Sequence, residues 1–98
     1  MPPPYFVYIT TNKNKTVLYT GVTNNLVLRM SQHVYQANSR NSATFTGRYA
    51  CCYLVYFEEH RYIPEAIKRE KQIKGWTRAR KKALIETINP GICFLDAG

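Results

Sequence analysis

The chain has 98 residues, room for one domain and not for two. Hydrophobic residues make up 45%, which excludes a disordered chain, and fourteen Lys and Arg against six acids give a formal net charge of +8 and a pI near 9.6. That excess points to a partner of dense negative charge, nucleic acid before an acidic membrane face, although a basic surface also serves solubility. The three cysteines, Cys51, Cys52 and Cys93, form no C-x-x-C pair, which argues against a zinc site and for buried thiols in a reducing compartment. Met1-Pro2-Pro3-Pro4 does not read as a signal peptide, and no apolar run approaches membrane length. A cytoplasmic protein with no membrane partner is expected.

Residues 5–10 are β-branched and aromatic and predict a first strand; residues 17–22 predict a second. The intervening Asn12-Lys13-Asn14-Lys15 is turn chemistry. A two-residue turn at Lys13-Asn14 would pair Thr10 with Val17 and Tyr8 with Tyr19, setting the two phenols side by side on one face. Thr23, Asn24 and Asn25 are cap residues, and a helix follows over residues 26–36. Residues 37–50, rich in Asn, Ser, Thr and Gly, read as a loop. The continuous apolar run 51–57 suits a buried central strand, with Glu58 and Glu59 facing water at its end. Pro64 fits the first turn of a helix that runs to Lys74 and stops at Gly75. Thr77 caps a last helix through Ile88, ended by Asn89-Pro90-Gly91. The predicted class is α+β, a small three-stranded antiparallel sheet flanked by helices in the order β-β-α-β-α-α.

One residue does not fit its helix. Ile63, Ala66, Ile67 and Ile73 form an apolar stripe at helical spacing, and Glu70 sits within it. A carboxylate facing a core is costly unless it is paired or bound to a metal, so Glu70 either pairs with Arg29 or holds a metal ion. Arg29 and His33 lie four apart on one face of the first helix, and a guanidinium fits a phosphate bidentately. The bland reading is a snorkelling Arg and a satisfied His. The basic residues cluster: Lys68, Arg69, Lys71, Lys74, Arg78, Arg80, Lys81 and Lys82 are eight of the fourteen, within fifteen positions. Three of them fall in the first turn of the last helix, where positive charge opposes the helix dipole, and phosphate binding would explain the exception.

Together these residues resemble the GIY-YIG endonuclease family. Its first motif stands here as Phe6-Val7-Tyr8 and its second as Tyr19-Thr20-Gly21, followed by Asn25-Leu26, Arg29, His33 and, on a later helix, Glu70. The similarity is to the small stand-alone bacterial members and to the catalytic domain of excinuclease-C-like proteins, and it covers about residues 5–88. It implies hydrolysis of DNA phosphodiester bonds with one divalent metal ion, Mg²⁺ or Mn²⁺. By the same resemblance Tyr8 and Tyr19 orient or activate the water, Arg29 relieves charge on the phosphate and His33 assists. Glu70 would hold the metal, and Gly21 would let the backbone pass close to the site. The first motif has Phe6 in place of its leading Gly, and Val22 stands where some excinuclease-like members carry a Lys. Arg29 and the metal then remain as the evident sources of positive charge near Tyr19. Six acids with no tight cluster beyond Glu58-Glu59 argue against a two-metal site, whereas one carboxylate with waters and phosphate suits Mg²⁺. The competing functions are a DNA-binding module of the same fold without turnover and an RNA-binding accessory protein, DNA being preferred to RNA as the partner.

Overall fold

The structure, a computed structural model, describes residues 2–38 and 49–98. Its elements are β1 (Tyr5–Thr11), β2 (Leu18–Thr23), α1 (Leu26–Asn38), β3 (Tyr53–His60), α2 (Ile63–Lys74) and α3 (Arg78–Glu86), in the order the sequence predicts. The three strands form one antiparallel sheet of order β2-β1-β3. The loop expected over residues 37–50 begins two residues late, since Ala37 and Asn38 extend α1, and residues 39–48 lie outside the described ones.

The central strand is β1, not the apolar run 51–57. Alternation explains why. Tyr5, Val7 and Ile9 join a cluster with Ala66 and Ile73 of α2 and Ile85 of α3, while Tyr8 joins Leu26 and Met30 of α1 and Leu54 of β3. A strand covered on both faces needs apolar or satisfied residues at every position, and β1 is buried at all but Phe6. The run in β3 has another origin. Its register against β1 shifts between Ile9 and Thr10, so Val55 and Tyr56 both enter the larger cluster although they are neighbours. The outer side of β3 is capped at Leu54, whose carbonyl accepts from Leu95 N at 2.7 Å.

The β1–β2 connection is longer than the two-residue turn, and the register differs by two. Asn12 organises it: Oδ1 accepts from Thr16 N (2.8 Å) and Val17 N (3.1 Å), and Nδ2 donates to Thr16 Oγ1 (2.7 Å). Lys15 sits at φ 58°, with its amide on Asn12 O. Thr11 therefore faces Leu18, Thr10 faces Tyr19, and Tyr8 faces Gly21 rather than Tyr19. A shift of two preserves the face, so both tyrosines still lie on the α1 side as diagonal neighbours.

Helix starts follow their caps. Asn25 Oδ1 accepts from Leu28 N (3.0 Å) at α1, Pro64 occupies the first turn of α2, and Thr77 Oγ1 accepts from Arg80 N at α3. Gly75 closes α2 in a right-handed conformation. Within α2, Ala66 and Ile73 are fully buried, but Ile67 is 38% exposed, so the expected apolar stripe is narrower than its sequence. Regular helix in α3 ends at Glu86, two residues before the expected Ile88, and a turn leads to Asn89.

Asn89 is more than the helix end its position suggests. It is buried, its Nδ2 donates to Val55 O (2.9 Å) and Cys93 O (2.8 Å), and its Oδ1 accepts from Cys93 N (3.1 Å). One amide thus ties the end of the last helix to β3 and to the C-terminal segment. Asn89→Ala removes all three bonds and leaves a strand carbonyl unsatisfied, which is expected to cost about 2–3 kcal/mol. Urea unfolding checks this as a lowered midpoint at unchanged slope.

Candidate active site

The site is built around a buried phenol. Tyr8 has no exposed surface, and its hydroxyl lies 2.9 Å from His33 Nε2 and 3.2 Å from Arg29 Nε, both from α1. Spacing of four residues stacks those side chains one turn apart over β1. Arg29 Nε–H donates to the Tyr8 oxygen, which leaves the phenol proton for His33 Nε2 when the neutral ring carries its own proton on Nδ1. The electrostatics agree. Burial, aided by the Arg29 charge, pushes His33 down to about 4, against a smaller upward pull from Gln36. Burial pushes Tyr8 up to about 12, opposed by Arg29 and assisted by Tyr19 and Glu70. Both groups are uncharged at neutral pH, and hydrogen bonding to Tyr8 holds Arg29 above its ordinary value and fully charged.

Gly21 makes room for this phenol. It faces Tyr8 across the β1–β2 pair, and a Cβ there would lie 2.4 Å from the Tyr8 oxygen. Tyr19, half-buried on β2, completes the cluster, its ring 6.4 Å from that of Tyr8 and 5.6 Å from that of His33. The Arg29 guanidinium also interacts with Tyr19, and its Nη1 donates to Gln32 Oε1 (3.0 Å).

Glu70 approaches from α2 with 13% of its side chain exposed. Its partner is Lys74, with Nζ 3.2 Å from Oε1, and not the Arg29 that the sequence offered as an alternative. Lys74 was expected only in the basic cluster, yet its ammonium also lies 5.7 Å from the centre of the Tyr19 ring. The spacing of four from Glu70 was the available signal.

The basic residues divide by environment. Arg69 Nε donates to both oxygens of Glu58 (3.1 Å each). Arg78 bonds the carbonyls of Lys15 (2.7 Å) and Thr16, pinning the β1–β2 loop. Arg80 lies 4.1 Å from the centre of the Trp76 ring, with Arg69 5.2 Å from it. Lys68 and Lys71 are exposed on α2, and Lys81 and Lys82 are half-buried on α3. Glu58 does not face water as expected. Burial alone would raise it, but bonds from Tyr56 (2.6 Å), His60 and Arg69 hold it below the ordinary carboxylate range.

A metal ion at this site would rest on Glu70. No group of three or more His, Cys, Asp or Glu suited to a metal occurs among the described residues. One mostly buried carboxylate, held by a single flexible ammonium, offers a hard oxygen and suits an ion that keeps most of its waters.

Two outcomes test this geometry. Gly21→Ala forces its methyl against a phenol held on two sides, with an expected loss of about 1–3 kcal/mol in urea unfolding. His33 gives a pH signature. Its folded pKa, about 4, lies below the ordinary 6.5, so between those values the unfolded chain takes up a proton that the folded one refuses. Its contribution is complete above about pH 6.5 and falls by about 2–3 kcal/mol as the pH drops toward 4. Unfolding midpoints across this range should slope in wild type and flatten in His33→Gln, whose amide oxygen can still accept the Tyr8 proton.

Comparison with known proteins identifies the family. A family model described as the GIY-YIG catalytic domain matches residues 4–83. A UPF0213 protein of Desulfotalea psychrophila is 37% identical over 89 residues, covering 91% of this chain and 77% of the relative. One of Staphylococcus haemolyticus is 35% identical over 82 residues, covering 84% and 94%. The solution NMR structure of a UPF0213 protein from Bacillus halodurans superposes at a TM-score of 0.54, with 27% identity, over 89% of this chain and 87% of that one. By sequence and fold, the chain belongs to the GIY-YIG family, a family of nuclease-type domains, and within it is related to the small UPF0213 proteins.

Proposed function

We propose that the protein hydrolyses DNA phosphodiester bonds at the Tyr8–Tyr19–Arg29–Glu70 cluster with the help of one divalent ion, Mg²⁺ or Mn²⁺. One observation carries the reading: Arg29 Nε donates to the buried Tyr8 hydroxyl beside the Tyr19 ring, and Lys74, the partner of Glu70, lies over that same ring, so the four residues converge on one place. A structural ion pair would have no use for that convergence.

The roles follow from exposure and bonding. Hydrolysis adds a water oxygen to phosphorus and breaks a P–O ester bond, so a proton must be taken from water and charge relieved on the phosphate. Tyr8 is fully buried with its proton committed to His33 and its oxygen to Arg29, so it positions rather than accepts. Tyr19 is the half-buried one of the two phenols, and in this reading it orients the attacking water and would accept its proton only as a phenolate. Arg29, anchored through Nε, presents charge to a phosphate oxygen. Glu70 would hold the ion, which supplies charge neutralisation at the phosphate when bound. Gly21 keeps the Tyr8 hydroxyl at strand height. The exposed Lys68 and Lys71, with Lys81 and Lys82, attract the flanking backbone without reading bases.

The test is incubation with end-labelled duplex, nicked, branched and single-stranded DNA, with and without Mg²⁺ or Mn²⁺. Cleavage is expected only with metal and is expected to fall at least a hundredfold in Glu70→Gln, a loss of about 2.7 kcal/mol or more in transition-state stabilisation. DNA binding without metal should hold or improve, because a negative charge facing phosphate has gone. Binding of every substrate with no cleavage of any, at all metal concentrations, would sink the nuclease reading and leave a DNA-binding module.

A further inference from the structure

The Glu70–Lys74 pair occupies the position where the metal is assigned. The carboxylate is 13% exposed, while Lys74 is 50% exposed, so the acid is fixed by its surroundings and the ammonium reaches in from outside. Lys74 Nζ has two negative neighbours, the Glu70 Oε1 at 3.2 Å and the face of the Tyr19 ring at 5.7 Å. A lysine suits such a double placement: its charge is compact, its donors rotate, and its four-carbon stem moves without disturbing the helix.

We propose that Lys74 is the resident counter-cation of the site, holding Glu70 until a divalent ion takes the carboxylate and then shifting to Tyr19 and the phosphate. This rests on the assignment of the metal to Glu70. The physical reason is mutual repulsion. An ammonium on Oε1 and a divalent ion on the same carboxylate repel each other strongly, so metal entry loosens the hold on Lys74 and drives it toward another acceptor. Tyr19 lies next to Lys74, and a bound phosphate would offer the displaced charge a second acceptor. With Val22 on β2 apolar, Lys74 supplies from α2 a positive charge beside Tyr19. The arrangement couples metal and nucleic acid. Without DNA, Lys74 opposes the metal; with DNA bound, the released ammonium finds a phosphate and the opposition weakens.

The experiment measures metal binding, with no cleavage readout. Free Mn²⁺ is followed by electron paramagnetic resonance during titration of the full chain without nucleic acid, comparing wild type, Lys74→Met, Glu70→Gln and the double variant. Methionine keeps the unbranched stem and removes the charge. Lys74→Met is expected to bind Mn²⁺ about tenfold more tightly than wild type, within the usual range of site-to-site coupling. Both Glu70→Gln proteins should lose the site. A second measurement follows the Lys74 side-chain amine by NMR, where Mg²⁺ should shift its resonance in wild type and not in Glu70→Gln. Equal or weaker Mn²⁺ binding in Lys74→Met, still abolished by Glu70→Gln, would overturn the role of Lys74 and leave the metal assignment standing. Mn²⁺ binding that Glu70→Gln does not reduce, or none in any protein, would overturn the metal assignment and this inference with it. Thermal melts establish that each variant is folded.

Discussion

The architecture of the site depends on burying the hydroxyl of Tyr8. A phenol inside a protein must give its proton and receive one, or the burial is costly. Every nearby choice in the chain answers that requirement. His33 is a neutral acceptor because it is itself buried, and Arg29 is a donor because it cannot lose its charge. Gly21 removes the one carbon that would collide with the oxygen. The three bonds of the cluster are mutually supporting, so Arg29 cannot swing away without leaving the Tyr8 oxygen short of a donor. A guanidinium on a flexible stem is thereby fixed, and a fixed charge is worth more to a reacting phosphate than a mobile one.

The two partly buried carboxylates of the described residues are held in different ways. Glu58 and Glu70 have side-chain exposures of 19% and 13%, and both have a basic partner. Glu58 is surrounded by donors: a tyrosine hydroxyl, a histidine and an arginine Nε that serves both its oxygens. Such a group is satisfied, and a metal would have to break several bonds to reach it. Glu70 has one ammonium on one oxygen. Sequence distance hides the contrast, since Glu58 looks like a water-facing strand end and Glu70 like a core intruder.

Much of the fold was legible because its signals are local. Thr77 and Asn25 are caps and Pro64 is a first-turn residue, and each marks a helix start where its chemistry says it should. The tyrosine pair was legible by face but not by register, because a period of two fixes the face while the loop fixes the partner. Nothing in Asn12-Lys13-Asn14-Lys15 announces that the Asn12 side chain will close a longer loop, or that Arg78, sixty-two residues from Thr16, will hold it there. The central strand was misjudged for a related reason: apolar continuity in β3 comes from a register shift, and burial of β1 on both faces includes Thr10 and Thr11, which composition does not count as core. The arginines of the basic cluster were the least legible. Charge in sequence does not say whether a guanidinium faces solvent, a carboxylate, a carbonyl or an indole, and Arg69, Arg78 and Arg80 have such partners within the fold.

The register of one helix joins these threads. Ala66 and Ile73 are fully buried on α2, four residues before Glu70 and three after it, so core packing on both sides fixes where the carboxylate emerges. Lys74 is the next residue after Ile73 and the last of the helix, with Gly75 closing the turn behind it. The acid therefore stands on a rigid segment and the cation at its frayable end, where a long side chain has freedom to move. Arg29 on α1 shows the opposite design, a cation immobilised by a buried phenol. Tyr19 thus stands near two cations of different kinds, one tied to a buried phenol and one at an exposed helix end. The sheet and two helices are sufficient to build that asymmetry without a second carboxylate.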